Sequence, residues 1–279
     1  MALVLPPDHG PERDEAILAY IRDSQYTANL VPVTSSIEGH TATFYVFQDA
    51  LMIEGVRINV SAKLQQTIAD MLGCSLMTPK IADLAWMQRA TTLTPFTRPI
   101  TSKTADMIDS SAKMDAALAK LPPTPTLGII QTVGKHWLID NDLAAKPGKA
   151  ENYGWHFVGS NYQGLTGEVN ASLQKDPKSG QYVRLIQGRG WAHDMSHVDY
   201  SQICVLVSQM ADLDGAAVEL ASILTDPALA ALGSHQGKMT VLRQPGVPVT
   251  PLQEVLYPTT EITPESDHTD RSLRDRPQS

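Results

Sequence analysis

Residues 191–201 concentrate side chains that can transfer protons or bind a metal ion. The run WAHDMSHVDYS holds two histidines, two aspartates, two serines and a tyrosine. It lies just before the apolar run 203–207 (ICVLV), which predicts a buried strand. Because a buried ionisable group without a partner costs several kcal/mol, we expect the run to form a catalytic site, a metal site or a fully satisfied polar network.

The histidines and tryptophans of the chain gather in the same region. Four of the eight histidines lie between residues 136 and 197, and three of the four tryptophans lie there too. They form three close pairs: His136 with Trp137, His156 with Trp155, and His193 with Trp191. Aromatic walls around titratable groups are typical of ligand pockets. We therefore expect Trp155 and Trp191 to contact a substrate.

One hypothesis is a divalent metal site, with zinc as the metal. His193 and His197 are four residues apart and would share one face of a helix. The flanking sequence favours an extended strand, in which both would lie on one side with Asp199. His156 would supply a third nitrogen from another strand, since zinc hydrolases use about three such ligands and leave one position for water. The His-Glu-x-x-His motif is absent, because Asp194 stands in place of its glutamate.

A second hypothesis is catalysis without a metal, by a nucleophile, a base and a carboxylate that orients the base. The candidate nucleophile is Ser201 or Ser196, and the candidate base is His193 or His156. The orienting carboxylate is Asp199 or Asp194. Tyr200 or Ser201 would stabilise the developing oxyanion. No Gly-x-Ser-x-Gly elbow accompanies the serines, and Cys74 with His193 is an alternative pair by residue type alone.

The third hypothesis is a non-enzymatic one, in which the chain is a binding or structural protein related to phages or secretion. Asp199 and Ser201 would then satisfy backbone N–H groups of a loop, and the histidines and tryptophans would form a recognition pocket or a structural polar network. Lys135 is a candidate for binding a carboxylate or phosphate on a substrate, or is an ordinary solvated lysine.

The pattern of elements around these residues predicts an α+β fold with antiparallel strands and segregated helices. Period-two alternation over 30–60 predicts a strand meander. Helices are predicted at 11–26, 61–73, 78–88 and 102–121, with Ser61 and Thr78 as N-caps and Asp214 as the cap of a later helix. Further strands are predicted at 127–139, 153–158, 182–186, 200–210 and 239–243.

Composition narrows the function classes. With 42% hydrophobic and 19% charged residues, the chain resembles an ordinary soluble globular protein. A net charge of −8 and the lack of a basic block argue against a nucleic-acid partner. No Gly-x-Gly-x-x-Gly motif follows a predicted strand, so no nucleotide cofactor is expected. Without a signal-peptide pattern or an apolar window of about 18 residues, we expect no membrane partner and a cytoplasmic location.

The expected domain organisation is one α+β domain over residues 1–258. The run PPTP at 122–125 marks a possible sub-boundary near 121–126. Residues 259–279 contain almost nothing apolar, so a disordered tail is expected there. The pattern leaves the oligomeric state open.

The sequence also resembles a group of uncharacterised bacterial proteins, some of which carry peptidoglycan-binding modules. The resemblance lies in Gly154-Trp155-His156, His193, Asp199-Tyr200-Ser201 and the TPKIAD segment at 78–83, and it covers most of residues 40–210. It implies an enzyme that acts on cell-wall-like peptide or glycan. A phage lysis enzyme, or a protein released by a non-classical route, would reconcile that substrate with the absence of an export signal.

Together these observations predict a hydrolase with a polymeric or small-molecule substrate. Its catalytic residues would be His193, Asp199, Tyr200 and Ser201. Its substrate-binding residues would be Trp155, Trp191 and Lys135. Its metal ligands, if a metal is bound, would be His156, His193, His197 and Asp199.

Overall fold

The computed structural model describes residues 3–122, 128–159, 167–173 and 175–256. The tail that we expect to be disordered, at 259–279, lies outside these residues, as does most of the expected sub-boundary at 121–126. The expectation of a single domain therefore stays a prediction.

Two of the helices begin at the caps that the sequence predicts. The described residues form five α-helices: α1 (Pro11–Arg22), α2 (Ala62–Met71), α3 (Pro79–Met87), α4 (Thr104–Leu118) and α5 (Leu220–Thr225). Two short 3-10 helices span Asn141–Ala145 and Ala230–Leu232. The Ser61 side chain accepts from Leu64 N at the start of α2, and Thr78 accepts from Ile81 N at the start of α3. Both predicted N-caps are confirmed.

The strands form two main antiparallel sheets. They are β1 (Leu30–Ile37), β2 (His40–Phe47), β3 (Met52–Ile53), β4 (Val56–Arg57), β5 (Cys74–Ser75), β6 (Thr91–Thr92), β7 (Ile130–Gln131), β8 (Lys135–Leu138), β9 (Glu151–Val158), β10 (Glu168–Val169), β11 (Val183–Gly190), β12 (Val207–Leu213) and β13 (Ala216–Glu219). One sheet has the order β1-β2-β12-β13, with β5 also paired to β12, and the other has the order β10-β11-β9-β8. β3 and β4 form a small hairpin, and only the short β6–β7 pair is parallel among the described strands. The α+β fold class is confirmed.

Helix α2 forms hydrogen bonds to a strand of one sheet and to the segment that leads into a strand of the other. The buried Gln65 side chain donates to Trp137 O on β8 and to Val205 O just before β12. The Trp137 ring is fully buried, and its indole N–H donates to Val60 O at 2.8 Å. Of the helices in the described ranges, none is long and apolar enough to cross a membrane.

Two predicted elements near the C-terminus are wrong. Asp214 does not cap a helix; it forms, with Gly215, the turn of the β12–β13 hairpin, and both residues have positive φ angles of 53° and 87°. A two-residue turn with two positive φ angles matches the twist of the two strands of a hairpin. The pair Asp214-Gly215 therefore forms a hairpin turn, although a helical pattern follows it in the sequence. No strand forms at 239–243. The strand expected from residue 200 begins only at Val207.

Strand β9 contains an irregularity that matters for the site. Gly154 and Trp155 have φ angles of 128° and 53°, inside a strand whose other residues are extended. A Cβ at position 154 would lie 3.1 Å from Cδ2 of the buried His136 ring. Position 154 therefore requires glycine for its backbone conformation and for the close approach of that ring.

We predict that Gly154→Ala lowers the free energy of unfolding by about 2–4 kcal/mol, because alanine adds backbone strain and a contact with His136. Gly148→Ala is the matched control, since Gly148 also has a positive φ of 74° but an added methyl group would meet nothing within 4 Å. The control should lose only about 1–2 kcal/mol. Urea unfolding of both variants is the measurement, and equal losses would contradict the role of the close contact.

Candidate functional site

Strands β8 and β9 direct their side chains to two sides of the sheet. In a regular strand neighbouring side chains alternate, so Tyr153 and His156 would lie on opposite sides. The positive φ angles at positions 154 and 155 interrupt that alternation. As a result Tyr153 and His156 share one side, with ring centroids 5.3 Å apart, whereas Trp155 lies on the other side near Lys135.

The run 191–202 lies on the Trp155 side and is a loop with turns. The prediction of an extended strand through His193, His197 and Asp199 is wrong. Asp194 accepts hydrogen bonds from the N–H and the hydroxyl of Ser196, at 3.0 and 2.6 Å, and His197 N donates to Asp194 O. These local bonds form a turn, as Asp and Ser commonly do. Just before it, a single antiparallel bridge pairs Asp194 with Lys149.

His193 and His197 form a stacked pair at the surface of this loop. Their ring centroids are 4.3 Å apart and their planes differ by 11°. The Trp137 ring is nearly perpendicular to both imidazoles, with centroids 6.0 Å from His193 and 6.5 Å from His197. Burial lowers the pKa of His193, and the charges of His197 and Lys135 lower it further, while Asp199 opposes them. His193 is therefore a neutral imidazole at pH 7.

The buried Asp199 lies next to His197 of this pair. Its Oδ2 lies 3.7 Å from His197 Nε2, and that nitrogen is buried with no hydrogen-bond partner. Its Oδ1 accepts from the backbone N–H and the hydroxyl of Ser201. Ser201 is only 1% exposed, and its hydroxyl contacts this carboxylate and no imidazole. The geometry thus gives Ser201 the role of fixing Asp199, and Ser196 likewise contacts Asp194.

Lys135 and Tyr200 border the same site. Lys135 N donates to Ser201 O and Lys135 O accepts from Ile203 N, which holds β8 against the loop. The ammonium lies 5.5 Å from the Trp155 ring centroid, and Trp155 in turn lies 5.9 Å from the Tyr200 ring. Burial lowers the pKa of Lys135, and Asp199 opposes that shift. Burial raises the pKa of Tyr200, whose hydroxyl accepts from Arg98 N.

Trp191, in contrast, belongs to a separate ionic cluster. Its ring lies under Lys146 and Arg189, at 4.8 and 5.2 Å, and its indole N–H donates to Asp140. Arg189 also contacts the buried Glu151 at 2.6 Å. Burial and the neighbouring Asp140 raise the pKa of Glu151 to about 8 despite Arg189. Trp137 takes the position beside the histidines that the sequence pattern assigned to Trp191.

His156 lies on the opposite side of the sheet, in a cluster around Asp83 of α3. The Asp83 carboxylate is 2% exposed. It accepts four hydrogen bonds: from Tyr153 Oη at 2.5 Å, Asn170 Nδ2 at 3.0 Å and His156 Nε2 at 3.2 Å on Oδ1, and from His235 Nε2 at 3.0 Å on Oδ2. Trp86, one helical turn along α3, stacks on His156 with centroids 5.1 Å apart.

The Asp83 carboxylate is the centre of a buried hydrogen-bond network, beside which the indole N–H of Trp86 has no partner. Burial alone would raise the pKa of Asp83, but the hydrogen bonds from His156, His235 and Tyr153 outweigh burial and hold it well below the ordinary value. His136 lies next to this cluster, and burial lowers its pKa to about 3, so it remains neutral. Because the donors to this carboxylate come from different elements, the cluster joins α3, β9, the 170–173 turn and the segment after the second 3-10 helix.

The metal hypothesis finds no support in this arrangement. His156 does not join His193 and His197, contrary to the sequence-based expectation, because the left-handed backbone at Trp155 turns it toward Asp83. A zinc ion lies close to the plane of each imidazole that binds it, at about 2.1 Å from nitrogen, and two stacked parallel rings cannot both meet that condition. The described residues contain no group of three or more His, Cys, Asp or Glu placed to hold a metal ion. Zinc binding stays a prediction.

Cys74 is separate from the histidine pair. Burial raises the pKa of its thiol, whose contact is with Leu72 O at 3.5 Å. It borders a cavity of about 330 Å³ between α2 and α5, beside the Asp70–Arg243 ion pair. No residue of the 191–202 loop lines that cavity.

Sequence reasoning missed the centre of the second cluster. Asp83, His235 and Asn170 are distant in sequence from residue 156 and from one another, and no motif links them. The available signal is the aspartate within the otherwise apolar run 81–86 (IADLAW) of α3, where an unpaired carboxylate would be costly.

Comparisons with protein-family models, curated proteins and solved structures gave no match. The site must therefore be interpreted from its own chemistry.

We predict that Asp83→Asn lowers the free energy of unfolding by about 3 kcal/mol at pH 7, because one acceptor oxygen becomes a donor that faces other donors. The folded-state pKa of Asp83 is depressed, so its contribution is present above the unfolded pKa of about 4 and is lost as the pH falls below it. The difference between wild type and variant should accordingly shrink below pH 4 in urea titrations.

The control is Asp214→Asn, which removes an exposed carboxylate that also contacts a histidine, His40, at 2.7 Å. Its loss of stability should be much smaller than that of Asp83→Asn. Equal losses, or a difference that grows in acid, would argue against the buried network.

Proposed function

We propose that the protein is a hydrolase whose active site is the histidine pair of the 191–202 loop. The observation that carries this proposal is the stacked, half-exposed pair of His193 and His197, one of which is backed by the buried Asp199. Two imidazoles in contact, one neutral and one beside a carboxylate, supply a base and an acid for the same reaction.

In the proposed reaction His193 accepts a proton from water as the water oxygen attacks the carbonyl or acetal carbon of the substrate. The bond to the leaving nitrogen or oxygen then breaks, and His197 donates its own proton to that atom. The proton on His193 passes to solvent, and His197 takes one from solvent before the next turnover. Asp199, 3.7 Å from His197 Nε2, orients this ring and would stabilise an imidazolium form of it, as the carboxylate of a catalytic triad does. Ser201 holds the carboxylate in place through two hydrogen bonds.

The surrounding side chains suit a charged transition state. The Lys135 ammonium lies 5.5 Å from the Trp155 ring centroid, and its charge lowers the pKa of His193. The Tyr200 hydroxyl remains protonated because burial raises its pKa. Either group can donate to a developing oxyanion. Trp155, between Lys135 and Tyr200, offers an apolar surface to a peptide or a sugar ring.

The substrate class that we propose is the peptide or glycan of a cell-wall polymer. Its support is the resemblance of residues 154–156 and 199–201 to proteins that accompany peptidoglycan-binding modules. The aromatic and polar groups around the histidine pair are compatible with either bond type.

We predict that His193→Gln and His197→Gln each lower hydrolysis at least ~100-fold, which is the usual contribution of one acid or base group. The measurement is release of soluble fragments from purified peptidoglycan sacculi, with p-nitrophenyl acetate as a second probe. Because both rings are half-exposed, the melting temperature should change little.

His40→Gln is the matched control, since His40 also pairs with an aspartate at the surface but lies outside the site. It should retain full activity. A wild-type protein that is inactive on both probes, or histidine variants as active as wild type, would contradict the proposal.

A further inference from the structure

A cavity of about 330 Å³ lies between α2, β5, β12 and α5. No residue of the 191–202 loop lines it, so it is separate from the histidine pair. Its volume falls within the range of about 300–1,000 Å³ that is typical of small-molecule sites. We call this space the α2–α5 cavity.

Apolar side chains form much of the lining of the α2–α5 cavity. Leu220 and Leu224 of α5 and Cys74 of β5 are buried, while Met210 and Leu242 are partly exposed. Burial raises the pKa of the Cys74 thiol, which is therefore a neutral, weakly polar group like its neighbours. These side chains can contact the apolar part of a ligand.

The ion pair of Asp70 and Arg243 is already satisfied within the protein. Asp70 Oδ1 accepts from Gln66 Nε2 at 2.8 Å, and its Oδ2 accepts from Arg243 Nη2 at 2.7 Å and from Thr250 N at 2.9 Å. Arg243 Nη1 donates to Val247 O. The pair thus forms a fixed wall of the cavity and adds no net charge to it.

Glu219 and Gln209, in contrast, offer acceptors that are free. Within the described residues, the Glu219 carboxylate has no ion pair, and it does not cap α5, which begins at the next residue. Gln209 Nε2 donates to Cys74 O at 3.1 Å, which leaves its Oε1 as an acceptor. Glu219 pairs across the β12–β13 ladder with Met210, the residue after Gln209. With two carboxylates and one guanidinium, the lining carries one net negative charge.

We propose that the α2–α5 cavity binds a small organic cation, a primary amine with an apolar chain or ring. An ammonium has three donors and no acceptor, so it suits Glu219, with Gln209 Oε1 as a second acceptor. The apolar part of the ligand would contact Leu224 and Leu242. An anion is disfavoured, because both terminal nitrogens of Arg243 already donate to the protein. This site does not depend on the proposed hydrolase activity.

The test is an NMR titration of the full chain with isotope-labelled methionine methyl groups. The probes are phenethylamine, its neutral counterpart phenethyl alcohol and its anionic counterpart hydrocinnamate, which have similar shapes. Phenethylamine should shift the methyl resonance of Met210 saturably and leave that of Met195, in the 191–202 loop, unchanged. Phenethyl alcohol should bind about fivefold more weakly, the size of a surface ion pair, and hydrocinnamate should not bind.

Glu219→Gln should lower the affinity for phenethylamine about fivefold and leave that for phenethyl alcohol unchanged. Glu219 is exposed, so this variant should remain folded. Glu12→Gln is the matched control, because it removes an exposed carboxylate of α1 outside the cavity, and it should bind as wild type does. Ala221→Trp, which places an indole in the cavity, should abolish the binding of both probes.

The proposal would be overturned by the absence of a saturable Met210 shift, or by a shift of Met195 in its place, which would put the amine at the histidine loop. Equal affinities for the amine and the alcohol, saturable binding of hydrocinnamate, or an unchanged affinity for the amine in Glu219→Gln would overturn it as well. Hydrolysis is not a readout, so failure of this site and failure of the proposed activity are separate results.

Discussion

The Asp83 carboxylate is buried, and its charge is tolerable there only because four donors from three distant parts of the chain converge on it. Tyr153 and His156 come from β9, Asn170 from the turn after β10, and His235 from the segment after the second 3-10 helix. Any displacement of α3 relative to the β8–β9 sheet would leave several buried polar groups unpaired, at about 1–3 kcal/mol each. The position of β9, and with it the position of the proposed active site on its other side, depends on this contact.

The irregular backbone of β9 connects the two clusters. With a regular alternation, His156 would face the 191–202 loop and Trp155 would face Asp83. The positive φ angles of Gly154 and Trp155 exchange these sides, so a histidine completes the buried network and a tryptophan lines the surface site. Strain of this kind is retained only where surrounding contacts determine it, and here the His136 ring and the Asp83 network provide those contacts.

Local signals in the sequence are sufficient for much of the fold. The caps at Ser61 and Thr78 and the alternating pattern of β1 and β2 correctly predict elements, because these features depend on neighbouring residues alone. The dense polar run at 191–201 also correctly locates a cluster of His193, His197 and Asp199. Its predicted conformation is wrong, since Asp194 forms a turn with Ser196 that ends any strand.

Contacts between residues distant in sequence have no such local signal. Nothing near residue 156 in the sequence indicates that its partner is Asp83. Nothing indicates a left-handed backbone at position 155 either, because a non-glycine residue rarely adopts a positive φ.

Under the proposed function, the histidines divide into a buried structural set and a surface functional set. The most direct measurement is an NMR titration of all histidine side chains with soluble peptidoglycan fragments. We expect the resonances of His193 and His197 to shift on binding, while those of His136 and His156 stay unchanged. Shifts confined to His156, or no shift in either set, would contradict this division.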